Sequence, residues 1–124
     1  MNDPEVSMSN AAPNTNLIAH EKALEAAGMA IRLVMRVPAP LKSIADQAIR
    51  SASSVPANIA EGHGRIGRDR SNHWRIAYAS AKEVECHLRL LVHAGAISRT
   101  GARDAMKVFD QVRAMTWRLL NPMS

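Results

Sequence analysis

Ser53-Ser54-Val55-Pro56-Ala57-Asn58-Ile59-Ala60-Glu61-Gly62 is the stretch that decides the fold. It reads as a helix with a proline in its middle and a polar stripe on one side. Ser54, Asn58 and Glu61 recur at i, i+4 and i+7, so they share a face. Leu41, Ile44, Ala48, Ala52, Val55 and Ile59 form the apolar stripe of the same helix, which begins near Leu41. Pro56 has no backbone N–H to donate, and its ring crowds the carbonyl of Ala52. A kink is expected there, with the Ser53 or Ser54 hydroxyl helping to satisfy the freed groups. Gly62 and Gly64 read as the caps that end the helix.

Working outward, a second polar stripe follows on the next helix, where Ser80, Glu83 and His87 stand at i, i+3 and i+7. Two helices that mix small residues with such stripes predict a polar seam made of Ser54, Asn58, Glu61, Ser80 and Glu83. That helix starts around Arg68 to Ser71, carries the apolar stripe Ala77, Ala81, Val84, Leu88 and Leu91, and closes at Gly95. Ser98 or Thr100 caps a further helix, whose core face is Ala105, Phe109, Val112, Met115 and Leu119, with Pro122 beyond its end. Upstream, Leu24, Ala27, Ile31 and Val34 place one more apolar face on a helix that stops near Val37, before Pro38 and Pro40. Residues 1–16, rich in Asn, Ser and Pro, read as a flexible amino-terminal tail, and residues 17–121 as one domain. No alternating strand pattern is present. Short links between long amphipathic helices predict an all-α fold, an antiparallel up-down-up-down four-helix bundle.

Composition agrees. Aromatic residues are only 3% of the 124, so the core is built from Ala, Leu, Ile, Val and Met, which pack helices closely. The formal charge of +5 permits a polyanionic partner, or equally a solvated arginine surface. Cys86 is the sole cysteine, which excludes an internal disulfide and a cysteine-based zinc site. The amino terminus lacks the apolar core of a secretory signal, and no run approaches a membrane span, so a cytoplasmic protein with no membrane partner is expected.

Gly62-His63-Gly64-Arg65-Ile66-Gly67 fits G-x-G-x-x-G literally. The dinucleotide mechanism needs that loop after a strand. Here it follows a helix, so an interhelical turn with glycines at positive φ is the better reading. The five histidines lack the paired Glu-x-x-His spacing of a bundle di-iron site. Cys86 has no matched His–acid arrangement. Glu61 and Glu83 could pair for acid–base work, yet no nucleophile or oxyanion donors accompany them, and a structural role is preferred. No enzyme activity, cofactor or metal is therefore expected. The arginines are uneven. The up-down order gathers Arg65, Arg68, Arg70 and Arg75 with Lys22 and Arg118 at one end, and Arg32, Arg36, Lys42, Arg99 and Arg103 at the other. Arginine forks suit phosphate, and Trp74 and Trp117 could stack on bases, although a helical Trp more often packs.

The run Ser54 to Gly62, then Ile76-Ala77 with Ser80 and Glu83, then the apolar stretch to Gly95, resembles a small bacterial four-helix-bundle family. That family includes proteins encoded in intervening sequences of the large-subunit ribosomal RNA gene. It also includes the accessory variability determinant of diversity-generating retroelements. The resemblance covers roughly Leu17 to Leu120. It implies an antiparallel bundle and ring-like homopentamers. For the retroelement branch it implies a basic assembly that works with a reverse transcriptase and with DNA or RNA. Two functions follow as expectations. One is a non-catalytic nucleic-acid-binding or reverse-transcriptase accessory protein using Arg65, Arg68, Arg70 and Arg75. The other is a self-assembling protein-interaction module without nucleic acid.

Overall fold

The computed structural model describes residues 15–122. They form α1 (Thr15–Val34), a 3-10 turn (Ala39–Leu41), α2 (Lys42–His63), α3 (Gly67–His93) and α4 (Arg99–Leu120). No strand occurs among the described residues. Most of the expected tail, residues 1–14, lies outside them, and α1 opens at Thr15, two residues before the expected boundary. Consecutive helices pack on each other, and α1 also packs on α4. This order of neighbours is compatible with an up-down bundle.

The ends of the helices follow from local chemistry. Pro38 and Pro40 cannot continue α1, and Pro38 leads into the 3-10 turn. Gly95 adopts φ +76° past the end of α3. Its N–H bonds to Val92 O, and that of Ala96 bonds to Leu91 O, both at 2.9 Å. These two bonds cover carbonyls that the helix end leaves orphaned. At the start of α4, Ser98 Oγ accepts from the Gly101 N–H at 2.8 Å, so Ser98 rather than Thr100 is the cap.

The core is small-residue rich. In α1 it comprises Ala19, Ala23, Ala26, Ala27, Ala30 and Val34. The expected stripe is corrected here: Ala27 and Val34 are buried, but Leu24 is 46% exposed and Ile31 only half-buried. The inward face of α1 is mainly alanine, and Met29 and Leu33 pack against the core from its edge. Across from α1 stand Phe109, Ile59, Leu88 and Leu91, the largest fully buried side chains.

α2 remains helical through Pro56, and two assignments within it differ from expectation, those of the serine hydroxyls and of Gly62. Ser53 Oγ donates to Arg50 O at 3.1 Å, and Ser54 Oγ pairs with Ser80, so neither hydroxyl serves the Ala52 carbonyl. Gly62 is not a cap. It lies buried inside α2, and a Cβ there would stand 2.4 Å from Trp74 Nε1 and 2.5 Å from Trp74 Cδ1. The glycine exists because the indole of α3 rests on the α2 backbone. Gly64 does occupy the cap position, with φ −85°, a conformation open to any residue. Of the three glycines in the G-x-G-x-x-G stretch, only Gly67 has positive φ, at +61°.

Candidate functional site

Two arrangements at the α2–α3 boundary gather the polar side chains: a seam along the helices and a basic turn at their joined end. In the seam, Ser54 Oγ and Ser80 Oγ lie 2.9 Å apart. Asn58 Nδ2 donates to Ser54 O at 2.9 Å and to Ser54 Oγ at 3.0 Å. That orientation turns Asn58 Oδ1 toward His73, whose Nδ1 lies 2.9 Å away. An amide oxygen only accepts, so His73 Nδ1 carries the proton. One turn further along, Arg50 Nη2 donates to Glu83 Oε2 at 2.5 Å and to Gln47 Oε1 at 2.6 Å. His87 Nε2 stands 3.3 Å from the same Glu83 oxygen. Partial burial pushes the Glu83 carboxyl up. The hydrogen bonds from His87 and Arg50, with the Arg50 charge, outweigh it and hold the group below its ordinary value of 4.5.

The structure thus brings together Ser54, Asn58 and Ser80, and sets Glu83 beside them. Glu61 does not join them. It shares the helical face by spacing but lies where α2 ends, is exposed, and accepts instead from Arg65 Nη2 at 2.8 Å. His73, Arg50 and Gln47 complete the network. His73 was missed, although it precedes Ser80 by seven residues, as His87 follows Ser80 by seven, and so continues the same stripe.

The basic turn is more divided than its composition. Arg65 stands between Glu61, four residues before it, and Asp69, four after, with Nη1 2.8 Å from Asp69 Oδ2. Its hydrogen bonds hold both carboxyls below the usual carboxylate range, while the two acids push its own value up. It therefore clamps the last turn of α2 to the first turn of α3. Arg70 donates from Nε to Gly62 O at 3.1 Å and from Nη2 to His63 O at 3.3 Å. These are carbonyls of the last turn of α2, and Gly62 O also accepts from the Arg65 N–H at 3.1 Å. Its guanidinium lies 5.5 Å from the centroid of the Trp74 ring, and that ring is buried. Trp74 is therefore a packing residue, whereas Trp117 is partly exposed. Arg68 and Arg75 remain. Both are exposed and make no hydrogen bond or ion pair with the described residues. Of the four expected arginines, two build the turn and two face solvent.

Among the described residues, no group of three His, Cys, Asp or Glu is placed to hold a metal ion. No described helix is long and apolar enough to cross a membrane.

The 23S rRNA-intervening sequence protein family matches residues 15–118, nearly the whole bundle. The chain belongs to this family. A solved structure of a protein of unknown function from the S23 ribosomal protein family of Bacteroides thetaiotaomicron is similar in fold. It is 24% identical with a TM-score of 0.79, over 87% of this chain and 99% of that one. No curated protein matches the chain. The family match and the shared fold cover α1 to α4, so the seam and the basic turn are features built on a 23S rRNA-intervening sequence family scaffold.

Proposed function

We propose that this chain is a non-catalytic, basic, oligomeric protein of the cytoplasm that binds nucleic acid with little sequence preference. The observation that carries the reading is the pair of exposed, uncompensated arginines, Arg68 and Arg75, in the first three turns of α3 beside a turn held by Arg65 and Arg70. Phosphate contacts of that kind give affinity without sequence information, because every nucleotide presents the same charge. The antiparallel up-down-up-down bundle belongs to the same reading. In its support, the pairs Asn58–His73, Ser54–Ser80 and Arg50–Glu83 descend along α2 while they climb α3. A reverse transcriptase as protein partner is the accessory role that the family resemblance implies.

The test is titration of a fluorescent 20-nucleotide RNA, and of the matching DNA, at several salt concentrations. Each lost single-strand phosphate contact should lower the log-salt slope by about 0.7, so Arg68→Ala/Arg75→Ala should lower it by about 1.4. Absence of binding at low salt, or an unchanged slope in the double variant, rejects this interface.

A second reading, a self-assembling module that captures protein and no nucleic acid, draws on a different observation. Leu17, Ile18 and Leu24 of α1 are each 46% exposed, an apolar surface suited to burial between copies. The expected assembly is a homopentamer. Light scattering should give about five times the 13.5 kDa chain mass, and a monomer at micromolar concentration refutes it.

A further inference from the structure

Near the Gly95 turn, the groove between α3 and α4 opens into a cleft of about 220 Å³ lined by Arg89, Val92, His93, Arg99, Arg103 and Met106. Four of these six side chains can carry positive charge, and none is acidic. Arg99, Arg103 and His93 make no hydrogen bond or ion pair with the described residues. Arg89 has only a distant one, 3.8 Å to Glu85. Val92 and Met106 are half-buried against the core and give the cleft an apolar floor. Cations that converge on a concave, partly apolar surface without a counter-charge repel each other, and they concentrate a field that attracts anions.

The contrast with the rest of the molecule is what gives the cleft meaning. At the α2–α3 turn, Arg65 is neutralised by Glu61 and Asp69. Further along the α3–α4 groove a second hollow is lined by Lys82, Glu85, Cys86, Arg113 and Arg89, the last shared with the cleft. There Arg113 is paired with Glu85 at 3.6 Å and Asp110 at 2.5 Å. Acids thus hold Arg65 at the turn and Arg113 in the second hollow, whereas no acid lines this cleft.

We infer that the α3–α4 cleft is a binding site for a phosphate group, held by the forks of Arg99 and Arg103 with His93 and Arg89 at its sides. Arginine forks match phosphate oxygens in bidentate geometry. A hollow of about 220 Å³ has room for a phosphate group. The phosphate can come from a polynucleotide or from a small phosphorylated molecule. The site lies on a different helix pair from Arg68 and Arg75, so it stands apart from the interface proposed above.

Inorganic pyrophosphate and the 20-nucleotide RNA are the two probes. The readout is the His93 ring signal by NMR, assigned through its loss in His93→Gln. Pyrophosphate should shift that signal saturably. Arg99→Ala/Arg103→Ala should weaken the response at least tenfold, while Arg68→Ala/Arg75→Ala leaves it unchanged. All four substituted arginines are exposed, and unchanged circular dichroism checks that the variants fold. Displacement of pyrophosphate by the RNA assigns the phosphate to a polynucleotide, and co-existence of the two assigns it to a small molecule. A wild-type protein that binds no RNA yet keeps the pyrophosphate response defeats the nucleic-acid reading and leaves the cleft intact. A His93 signal indifferent to pyrophosphate, or equally responsive in the Arg99/Arg103 variant, overturns the inference.

Discussion

Substituting Gly62 by alanine sets two known effects of opposite sign against each other. In an unobstructed helix interior, Gly→Ala stabilises by about 0.5–1 kcal/mol, since glycine loses the most backbone freedom on folding. At position 62 the new methyl would stand 2.4 Å from Trp74 Nε1, 2.5 Å from Cδ1 and 3.2 Å from the Arg70 carbonyl. The indole is a rigid plane, 6% exposed, and it has no empty volume to enter. Overpacking of this kind costs about 2–3 kcal/mol. Moving the ring also breaks the 3.4 Å contact from Trp74 Nε1 to Ile59 O, which costs about 1 kcal/mol more. The net is a loss of about 2–3 kcal/mol, a fall in melting temperature on the order of 10 °C. Gly28→Ala is the control, because its methyl meets only the flexible end of Arg32, at 3.4 Å, and it should melt a few degrees higher than wild type. Thermal melts by circular dichroism compare the two. Fluorescence in a Trp117→Phe background should show a red shift of Trp74 emission in Gly62→Ala. A Gly62→Ala protein that melts at or above wild type would refute the close approach and return the glycine to the role of a cap.

The other expectations are smaller. Arg50 is 59% and Glu83 38% exposed, so their ion pair is worth about 1 kcal/mol or less, and Glu83→Gln should cost no more than that at neutral pH. The Glu83 carboxyl is held below 4.5, so its stabilisation is complete above that pH and is lost as pH falls through the folded-state value. Acid melts of Glu83→Gln should therefore converge on wild type as pH falls below the folded-state value, and a gap that widens on acidification contradicts the assignment. Ser98→Ala removes the cap of α4 and should cost about 1 kcal/mol in urea unfolding, whereas Thr100→Ala should change little. Equal effects at the two positions would mean that the cap is misassigned.

The periodic patterns located four helices, because proline and glycine punctuate this chain where helices stop. They also located the seam, because residues at i and i+4 on one helix meet a like stripe on the next. They failed where a residue type has two uses. Leu24 and Ile31 read as core because they are large and apolar, but the buried face of α1 is formed by alanines with Val34. Gly62 read as a cap because glycine ends helices, but its use is to admit Trp74, whose approach is a tertiary event. Glu61 lies on the right face for the seam, yet an arginine four residues later captures it. The four arginines near the turn look alike in sequence. Acids hold Arg65, backbone carbonyls hold Arg70, and neither faces Arg68 or Arg75; that pairing is set by side-chain geometry.

The alanine face of α1 turns the usual ranking of residues upside down. A census of bulky apolar groups would make α1 the most expendable helix, since it contributes little side-chain volume to the interior. Its contribution is nearness. With one methyl at Ala19, Ala23, Ala26, Ala27 and Ala30, the distance from α1 to its neighbours is set by backbone against side chain, and no rotamer can swing aside to relieve an intruder. Mutational tolerance should therefore be lowest at the smallest side chains in the protein. On this helix the limit on substitution is a ceiling on size, and exposed Leu24 should tolerate replacement better than the buried alanines beside it.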